Sequence, residues 1–534
     1  MAASENFPTN RFENHSKKGN GNISFRDLSP KRQAFIRQIN LQKLRDKAQK
    51  SRSDLLGQFE THLSELVDDI LTDVDDIEQK PPDAVGDHVK KKRDEGSLPD
   101  KEFVARRSIL TELLEIDHIR TIYHIFVAIL IVFSLQTLVY DWIEKENFLP
   151  EFELITWAFG KFPIVITLWV GMVGCTMFIV YPMFSYWAAM RSPGKGGVAD
   201  YIWLTIYLIY QVLFITLPIY WTAQNELPIA SKVIVASEQV RLIMKAHAFI
   251  RSNIPGVIQH KKNDELSSKE GTVPDFSKYL YFLFAPTLVY RNSYPRTATI
   301  RWNYVFTNFA QVFACLFYVY YIFARFCVPV FKNFSQESVT PKKLLFSVFG
   351  CMLPGTLVLF ITFFAVLHSW LNAFAEMLRF GDRLFYKDWW NSSSFANYYR
   401  TWNVVVHDWL YTYVYKDFYW CCGKSSRPAA MAIVFLLSAV VHEYILSVSF
   451  GFFYPVLFIL FAGAGFGFVF LNDRRFKRSG NIFMWVALFM GTGILMCLYS
   501  MEWYARQNCP ITTDSFIDYL IPRSWTCDVL FEGL

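Results

Sequence analysis

Long apolar stretches alternate with polar segments from residue 121 to near the end of the chain. Each stretch is close to the ~20 residues that an α-helix needs to cross the hydrocarbon core of a bilayer. Backbone in contact with lipid must satisfy its own hydrogen bonds, so each stretch is predicted to be helical. The sequence therefore predicts an all-α polytopic membrane protein with about nine transmembrane helices, at 121–140, 155–182, 201–221, 228–250, 303–330, 344–368, 429–449, 453–471 and 482–501.

The stretch 228–250 is the weakest of these spans, because it contains Glu238, Arg241 and Lys245. The three residues stand at positions i, i+3 and i+7, so they share one face of a helix. Charged side chains within a span normally face the interior of the protein. We therefore expect a helix whose charged face is covered by other parts of the chain.

The basic residues of the loops support the count of nine. Cytosolic loops carry more Lys and Arg than loops on the other side of the membrane. If the N-terminus is cytosolic, the opposite loops 141–154 and 222–227 contain one lysine between them. Loop 331–343 is an exception, with Lys332, Lys342 and Lys343. The same arrangement places three strongly basic loops in the cytosol, namely 251–302, 369–428 and 472–481.

Residues 1–101 form a separate polar region that precedes the membrane domain, 102–534. Apolar residues recur at helical spacing within 30–78, and 79–101 has the composition of a disordered linker. An amphipathic helix needs a partner for its apolar face. Self-association is one interpretation of this helix, and loose attachment to the membrane domain is the other.

Composition also indicates a membrane protein, because the chain is more apolar than a soluble core requires. Hydrophobic residues make up 53% of the 534 residues and charged residues 19%, below the usual ~25%. The net charge of +6 is small for this length and does not indicate a nucleic-acid partner. No CxxC or zinc-ligand spacing is present, so no metal site is expected. Cys509 and Cys527 lie in the polar tail, where they are able to pair if that tail is lumenal.

His442 lies near the middle of the span 429–449. A neutral imidazole accepts a proton from a hydroxyl near pH 7, and burial keeps the ring neutral. The alternative is a core histidine that is hydrogen-bonded to a neighbouring helix. The presence of Glu443 beside His442 favours a functional role for this histidine, because ionisable residues inside a membrane are costly. Ser438 lies one turn before His442 and is expected to orient the ring.

Asn403 and His407 are four residues apart, so they share one face of a helix. An amide donor beside a base suits a carbonyl whose oxygen gains negative charge, and loss of one such donor typically costs about 3 kcal/mol. The alternative is a helix-capping amide. Nearby basic residues, Arg400, Lys424 and Arg427, are suited to phosphates.

Phe385–Asn391 resembles the FYxDWWN motif of the membrane-bound O-acyltransferases, and His442 matches the membrane histidine of that family. The matching motif residues are Phe385, Tyr386, Asp388, Trp389, Trp390 and Asn391. Longer stretches resemble the sterol O-acyltransferases, the acyl-CoA:cholesterol acyltransferases, across roughly 103–527. These are Leu371–Asn391, Asn397–Leu410, Ser438–Tyr444 and Glu502–Pro510, while Lys245–Phe249 and Tyr318–Phe323 favour the first isozyme of the family.

The resemblance implies the membrane-bound O-acyltransferase fold and transfer of a long-chain fatty acyl group from acyl-CoA to the 3β-hydroxyl of cholesterol, with no cofactor. It implies that His442 is the general base and Asn403 its catalytic partner. It also implies a multi-pass protein of the endoplasmic reticulum membrane with a cytosolic N-terminus and a lumenal C-terminus, a homodimer or homotetramer, and a disulfide between Cys509 and Cys527. The implied acyl-CoA site comprises Tyr399, Arg400, Trp402, Asn403, Tyr415, Arg427, Ser438 and His442.

Two other functions remain open at this point. One is acylation of diacylglycerol or another lipid, because diacylglycerol acyltransferases share the FYxDWWN motif. The other is a transporter in which His442 and Glu443 relay protons. Inverted repeats would support a transporter, and the sequence contains none that we find.

Overall fold

The structure is a computed structural model that describes most of the chain from residue 98 onward. The predicted helix at 30–78 and the linker at 79–101 lie almost entirely outside the described residues. Of the unit Met1–Pro99, only residues 98 and 99 and six helical residues between 42 and 49 are described. The predicted domain boundary near 101 therefore stays a prediction. The described ranges of the second unit, Asp100–Leu534, are 100–145, 153–191, 197–262, 273–334, 340–422, 426–470, 477–509 and 516–526.

These residues form helices and no strand beyond two isolated bridges. In chain order the helices are α1 (Ile109–Leu113), α2 (Asp117–Lys145), α3 (Ile155–Met190), α4 (Val198–Gln224), α5 (Ile229–Lys262), α6 (Phe276–Phe284), α7 (Trp302–Phe331), α8 (Pro341–Met377), α9 (Phe395–Trp402), α10 (404–421), α11 (Arg427–Phe450), α12 (Val456–Phe470), α13 (Lys477–Asn508) and α14 (Phe516–Leu520).

Seven helices among the described residues are long and apolar enough to cross a membrane: α2, α3, α4, α7, α8, α11 and α13. The other two predicted spans are also helical, as α5 and the shorter α12. The all-α class is confirmed, and the total of nine spans stays a prediction. Five described segments within these helices and α10 have π-helical hydrogen bonding, namely Thr176–Val180, Phe323–Cys327, Phe363–Trp370, Tyr411–Tyr415 and Ile459–Gly465.

The charged face of α5 packs against the C-terminal end of α6, as expected of a face covered by protein. Lys245 is buried, and its Nζ donates hydrogen bonds to the carbonyls of Phe282 and Ala285, the second at 2.7 Å. Arg241 donates to the carbonyl of Leu283 at 2.7 Å and pairs with Glu238. The last carbonyls of a helix lack partners within it, so cationic donors stabilise that end.

A buried glutamine on α5 donates hydrogen bonds to carbonyls of α4, one of which has no partner within its own helix. Pro218 lacks an N–H, so the carbonyl of Phe214, four residues earlier, has no partner within α4. Gln239 Nε2 donates to that carbonyl at 2.7 Å and to the carbonyl of Ile215 at 3.0 Å. Its Oε1 accepts from the hydroxyl of Tyr444, so one amide connects α4, α5 and α11.

Small residues let α8 and α13 approach closely, which is how helices associate in the absence of a hydrophobic driving force. A Cβ on Gly355 would lie 2.8 Å from the carbonyl oxygen of Thr492. A Cβ on Gly493 would lie 2.7 Å from Cγ of Met352. Thr356 and Thr492 form a hydrogen bond across the same contact at 2.9 Å. This pair of helices supports the loop that carries the motif.

Candidate active site

The motif Phe385–Asn391 is a packing element that lies between α8 and α9. Phe385, Tyr386 and Trp389 are buried, whereas Asp388 and Asn391 are exposed. The Trp389 ring centroid lies 4.5 Å from that of Trp402, 5.2 Å from Phe363 on α8 and 5.7 Å from Trp485 on α13. Aromatic contacts at these distances add to the burial of apolar area. The motif thereby attaches α9 to the α8–α13 pair.

Two backbone hydrogen bonds connect this motif to the residues on either side of Asn403. The N–H of Lys387 donates to the carbonyl of Thr401 at 2.8 Å, and the N–H of Val404 donates to the carbonyl of Phe385 at 2.9 Å. Asn403 itself is the joint between α9 and α10, with φ −134° and ψ 89°. The buried motif therefore fixes the backbone that carries the Asn403 side chain.

The Asn403 side chain caps α10. Its Oδ1 accepts a hydrogen bond from the N–H of Val406 at 3.1 Å, which assigns the orientation of the amide. Its Nδ2 has no hydrogen-bond partner among the described residues. The capping role and the donor role considered from the sequence are therefore compatible, because they use different atoms of the amide.

The His442 ring is oriented by its own helix. Nδ1 lies 2.7 Å from the backbone carbonyl oxygen of Ser438, so Nδ1 carries a proton and donates it. The remaining nitrogen, Nε2, is then the basic one, and it has no hydrogen-bond partner in the described part of the chain. Ser438 orients the ring as expected, but through its carbonyl oxygen.

The chain does not bury His442. The sequence predicted an imidazole enclosed by protein, and the residue is instead exposed in the protein alone. The reason is that the helices packed around α11 leave this position uncovered. Phe461 on α12 covers one face of the ring, with centroids 5.7 Å apart and planes at 26°.

Phe461 also connects His442 to α9. Its ring centroid lies 5.2 Å from that of Tyr399 and 5.6 Å from that of Phe435. Burial raises the pKa of Tyr399 well above its ordinary value, so its hydroxyl stays protonated. The Tyr399 hydroxyl occupies the space that a Cβ on Gly465 would need. The π-helical part of α12 thus places Phe461 between Tyr399 and the histidine.

The other predicted acyl-CoA residues lie on α9, α10 and α11. Trp402 packs within the motif cluster, and Arg400 is exposed on α9 with Nε donating to the carbonyl of Ala396 at 3.0 Å. Arg427 is exposed at the first position of α11, 15 residues from His442, or about 22 Å along a helix. Lys424 lies outside the described residues.

A ladder of stacked aromatic rings runs along α10, and most of this ladder was not predicted from the sequence. His407, Tyr411, Tyr415 and Tyr419 follow one another at intervals of four residues. Successive rings are nearly parallel, at 6°, 16° and 4°, with centroids 6.3, 5.6 and 6.1 Å apart. The i, i+4 spacing was the signal that would have revealed it.

Charged contacts connect α10 to Asp100 and Lys101. Asp408 pairs with Lys101 at 2.7 Å and approaches His407 at 3.5 Å, while Lys416 pairs with Asp100 at 2.6 Å. Burial raises the pKa of Asp408, but hydrogen bonds from His407 and Lys101 and the charge of Lys101 outweigh it and hold that pKa below its ordinary value.

A second histidine that sequence reasoning missed supports the motif. His368 is buried in the π-helical part of α8, and its Nδ1 lies 2.6 Å from the hydroxyl of the motif residue Tyr386. Asn372, one turn later, donates to the hydroxyl of Ser108 at 3.1 Å. In the sequence, the signal for this residue was the presence of a histidine within an apolar span.

Glu443 faces away from His442. It accepts hydrogen bonds from the hydroxyl of Tyr499 at 3.1 Å and from the N–H of Phe458 at 3.1 Å, which connects α11 to α12 and α13. Among the described residues, no group of three His, Cys, Asp or Glu is placed to hold a metal ion. Cys509 is described but Cys527 is not, so their pairing stays a prediction.

The site combines a buried aromatic motif, a capping amide whose Nδ2 has no partner among the described residues and an oriented histidine in an apolar helix, an arrangement that suits acyl transfer. The model of the membrane-bound O-acyltransferase family matches residues 152–501, which is more than half of the chain. The chain belongs to the membrane-bound O-acyltransferase family.

Individual relatives confirm the resemblance read from the motifs. Sterol O-acyltransferase 1 of Rattus norvegicus is 54% identical over 434 residues, which cover 81% of this chain and 79% of the relative. Sterol O-acyltransferase 1 of Chlorocebus aethiops is 53% identical over 81% and 78% of the two chains. Sterol O-acyltransferase 2 of Mus musculus is 45% identical over 89% and 91%. The two type 1 relatives have the higher identity, as the sequence predicted.

Proposed function

We propose that this protein transfers a long-chain fatty acyl group from acyl-CoA to the 3β-hydroxyl of cholesterol or a similar sterol. The family supports O-acyl transfer, and the relatives named sterol O-acyltransferase support a sterol acceptor. The observation that carries the proposal is the orientation of His442. Its Nδ1–H donates to the Ser438 carbonyl, and Nε2 is left to accept a proton.

In the proposed reaction, Nε2 of His442 removes the proton from the sterol hydroxyl as its oxygen attacks the thioester carbonyl carbon. General-base catalysis of this kind contributes about 10²- to 10⁴-fold. The carbonyl oxygen gains negative charge, and Asn403 Nδ2 donates a hydrogen bond to it. The C–S bond then breaks, and the imidazolium returns its proton to the CoA thiolate. The products are a sterol ester and CoA, and no acyl-enzyme forms.

The two substrates differ in polarity, and the site residues match that difference. Arg400 and Arg427 are exposed, which suits contact with the phosphates of CoA. Tyr415 belongs to the ring ladder of α10, and planar bases stack on such rings. We assign Tyr399, Trp402, Ser438 and Asn403 to the path of the acyl thioester. The sterol approaches His442 from the bilayer, because the chain leaves that ring uncovered.

A proton-relay transporter has less support. The relay would need Glu443 to exchange protons with His442, but the carboxylate is held by Tyr499 and Phe458. The catalytic proposal uses His442 without Glu443. We therefore treat Glu443 as a residue that joins three helices.

We also propose residence in the endoplasmic reticulum membrane, with a cytosolic N-terminus, a lumenal C-terminus and a disulfide between Cys509 and Cys527. The protein is proposed to act as a homodimer or homotetramer. Support for these points comes from the family resemblance and from the distribution of basic residues in the loops.

The test is a competition assay on microsomes that contain the protein. Radiolabelled oleoyl-CoA is supplied with cholesterol and diacylglycerol at equal concentrations, and the labelled products are separated. We expect sterol ester as the main product and its loss in His442→Ala, with unchanged protein level and unfolding temperature. If triacylglycerol is the main product, the acceptor is diacylglycerol and the proposed sterol acceptor is wrong. Near-normal ester formation by His442→Ala would overturn the role of this histidine.

A further inference from the structure

Two adjacent cysteines end α10 at the surface of the protein. Cys421 is the last residue of the helix, and the N–H of Cys422 donates to the carbonyl of Phe418 at 3.0 Å. Both cysteines are exposed, and neither is in a disulfide. Free cysteine is among the most buried residue types, so two exposed neighbours are unusual. Core packing does not explain this pair.

The position of the pair separates it from the other exposed cysteine. Of the free cysteines that the structure describes, only Cys175 is also exposed. Cys175 lies near the middle of α3, where an exposed side chain meets lipid tails. Cys421 and Cys422 instead follow the polar part of the chain that carries the site residues, and they precede α11 by a few residues.

The pair therefore lies close to the edge of the membrane. Cys422 is five residues before Arg427, the first residue of α11, and five residues reach at most about 18 Å. The neighbouring Trp420 is 45% exposed, and tryptophan is enriched at the membrane–water interface. The basic residues of loop 369–428 predict that this edge faces the cytosol.

Contacts with α5 hold the last turns of α10. Arg251 Nε and Nη2 donate to the two carboxylate oxygens of Asp417, each at 2.8 Å. The hydroxyls of Ser252 and Tyr413 form a hydrogen bond at 2.7 Å. The end of α10 thus presents both thiols from a fixed support, so their exposure does not depend on a local opening of the helix.

We propose that Cys421 and Cys422 are S-acylated with long-chain fatty acyl groups. Cysteines beside a membrane span are sites of this reversible modification. The cysteine thiolate attacks the carbonyl carbon of a long-chain acyl-CoA. A new C–S bond forms, the C–S bond to CoA breaks, and the CoA thiolate takes up the proton that the cysteine lost. The products are an S-acyl cysteine and CoA, with no change of oxidation state.

This modification is independent of the proposed sterol acylation. His442 lies 15 residues beyond Arg427, or about 22 Å along α11, so the two cysteines are remote from the catalytic imidazole. The attached chains enter the adjacent leaflet and tie the end of α10 to the membrane, and two chains anchor more firmly than one. The anchored helix is the one that Asn403 caps at its other end.

The experiment is thioester exchange on the full-length protein in membranes of cells that express it. Disulfides are reduced, and free thiols are blocked with N-ethylmaleimide. Neutral hydroxylamine then cleaves thioesters, and each released thiol receives one maleimide–polyethylene glycol, which retards the protein on a gel. The test variants are Cys421→Ser, Cys422→Ser and the double variant. The matched control is Cys175→Ser, which removes the other exposed free cysteine.

We expect a hydroxylamine-dependent shift of the wild type, with one step for each cysteine. Each single variant should lose one step, and the double variant should lose the whole shift. Cys175→Ser and His442→Ala should keep the wild-type pattern. Feeding the cells an alkyne analogue of palmitate should label the same variants in the same order, which identifies the group as a long-chain acyl group.

Four results would overturn the proposal. The absence of a hydroxylamine-dependent shift in the wild type would exclude S-acylation, and this arm depends on no variant. A full shift in the double variant would place the acyl group on other cysteines. An equal loss in Cys175→Ser would remove the role of position. Loss of the shift in His442→Ala would show that the modification depends on the acyl-transfer site.

Discussion

Asn403 combines a structural and a proposed catalytic role, and one substitution separates them. In Asn403→Asp the side-chain oxygen still caps α10, since Asp is as good an N-cap as Asn. The Nδ2 donor is lost, so we expect kcat to fall about 10²- to 10³-fold. Thermal unfolding in detergent should stay near that of the wild type.

Asn403→Ala provides the comparison, because it removes the cap and the donor together. Loss of the cap should lower the free energy of unfolding by about 1 kcal/mol in this variant alone. Near-normal turnover by Asn403→Asp would mean that the residue serves α10 and not the reaction.

Phe461 is expected to position His442, since its ring and the Ser438 carbonyl are the contacts that orient the imidazole among the described residues. Phe461→Ala frees the ring to rotate, so we expect kcat to fall by roughly 10- to 100-fold with a smaller change in KM. Phe461→Tyr keeps the stacked ring and should restore most of kcat. The measurement is steady-state kinetics with oleoyl-CoA and cholesterol.

Phe435→Ala is the matched control for Phe461. Phe435 contacts Tyr399 and Phe461 at 5.0 and 5.6 Å, so its loss opens the same cluster without removing the ring that faces His442. If both alanine variants lose kcat equally, the effect is one of general packing and the positioning role is wrong.

At the scale of single residues, the sequence identified candidate residues but not the atoms through which they are held. The helical spacing put Ser438 beside His442, yet it could not show that a carbonyl would hold the ring. The exposure of His442 was also beyond the sequence, because an apolar span does not reveal which side the neighbouring helices cover. The capping of α10 by Asn403 depends on a break between two helices that the pattern did not contain.

At the scale of helices, the α8–α13 contact should be sensitive to any added side chain. Gly355→Ala places a Cβ 2.8 Å from the Thr492 carbonyl, a backbone atom that cannot move aside cheaply. Overpacking of this kind costs about 1–3 kcal/mol. We expect a lower unfolding temperature in detergent, and lower activity because α8 carries Phe363 against the motif residue Trp389.

Gly491→Ala on α13 is the matched control. An added Cβ there meets nothing within 4 Å, and alanine favours helix over glycine by about 0.5–1 kcal/mol. This variant should be as stable as the wild type or more stable. If Gly355→Ala behaves in the same way, the close approach of the two helices is not a determinant of stability.

The span count illustrates what the sequence could determine at the scale of helices. Apolar length predicted a helix for each of the nine stretches, four of them within three residues at both ends, and the charges of α5 marked it as different from the others. The partners of those charges are carbonyls of α6 and were not predictable, because they follow from the position of a later helix. Likewise, Pro218 indicated a defect in α4, but not that Gln239 would repair it.

For the whole molecule, the number of spans decides which side of the membrane each loop occupies. Nine spans place Lys332 in the lumen and Lys387 in the cytosol. If α5 and α12 did not cross, the seven remaining spans would reverse both positions while leaving the two termini unchanged. Termini therefore cannot distinguish the two topologies, and these two loops can.

We predict that Lys387→Cys reacts with a membrane-impermeant maleimide in sealed microsomes, whereas Lys332→Cys reacts only after permeabilisation. Lys387 and Lys332 are both exposed, so burial does not explain a difference between them. The background requires serine at the exposed free cysteines Cys175, Cys421 and Cys422. The opposite labelling pattern would mean that α5 lies within the protein without crossing the bilayer. The motif loop would then face the lumen, where a cytosolic acyl-CoA would not reach the basic residues assigned to it.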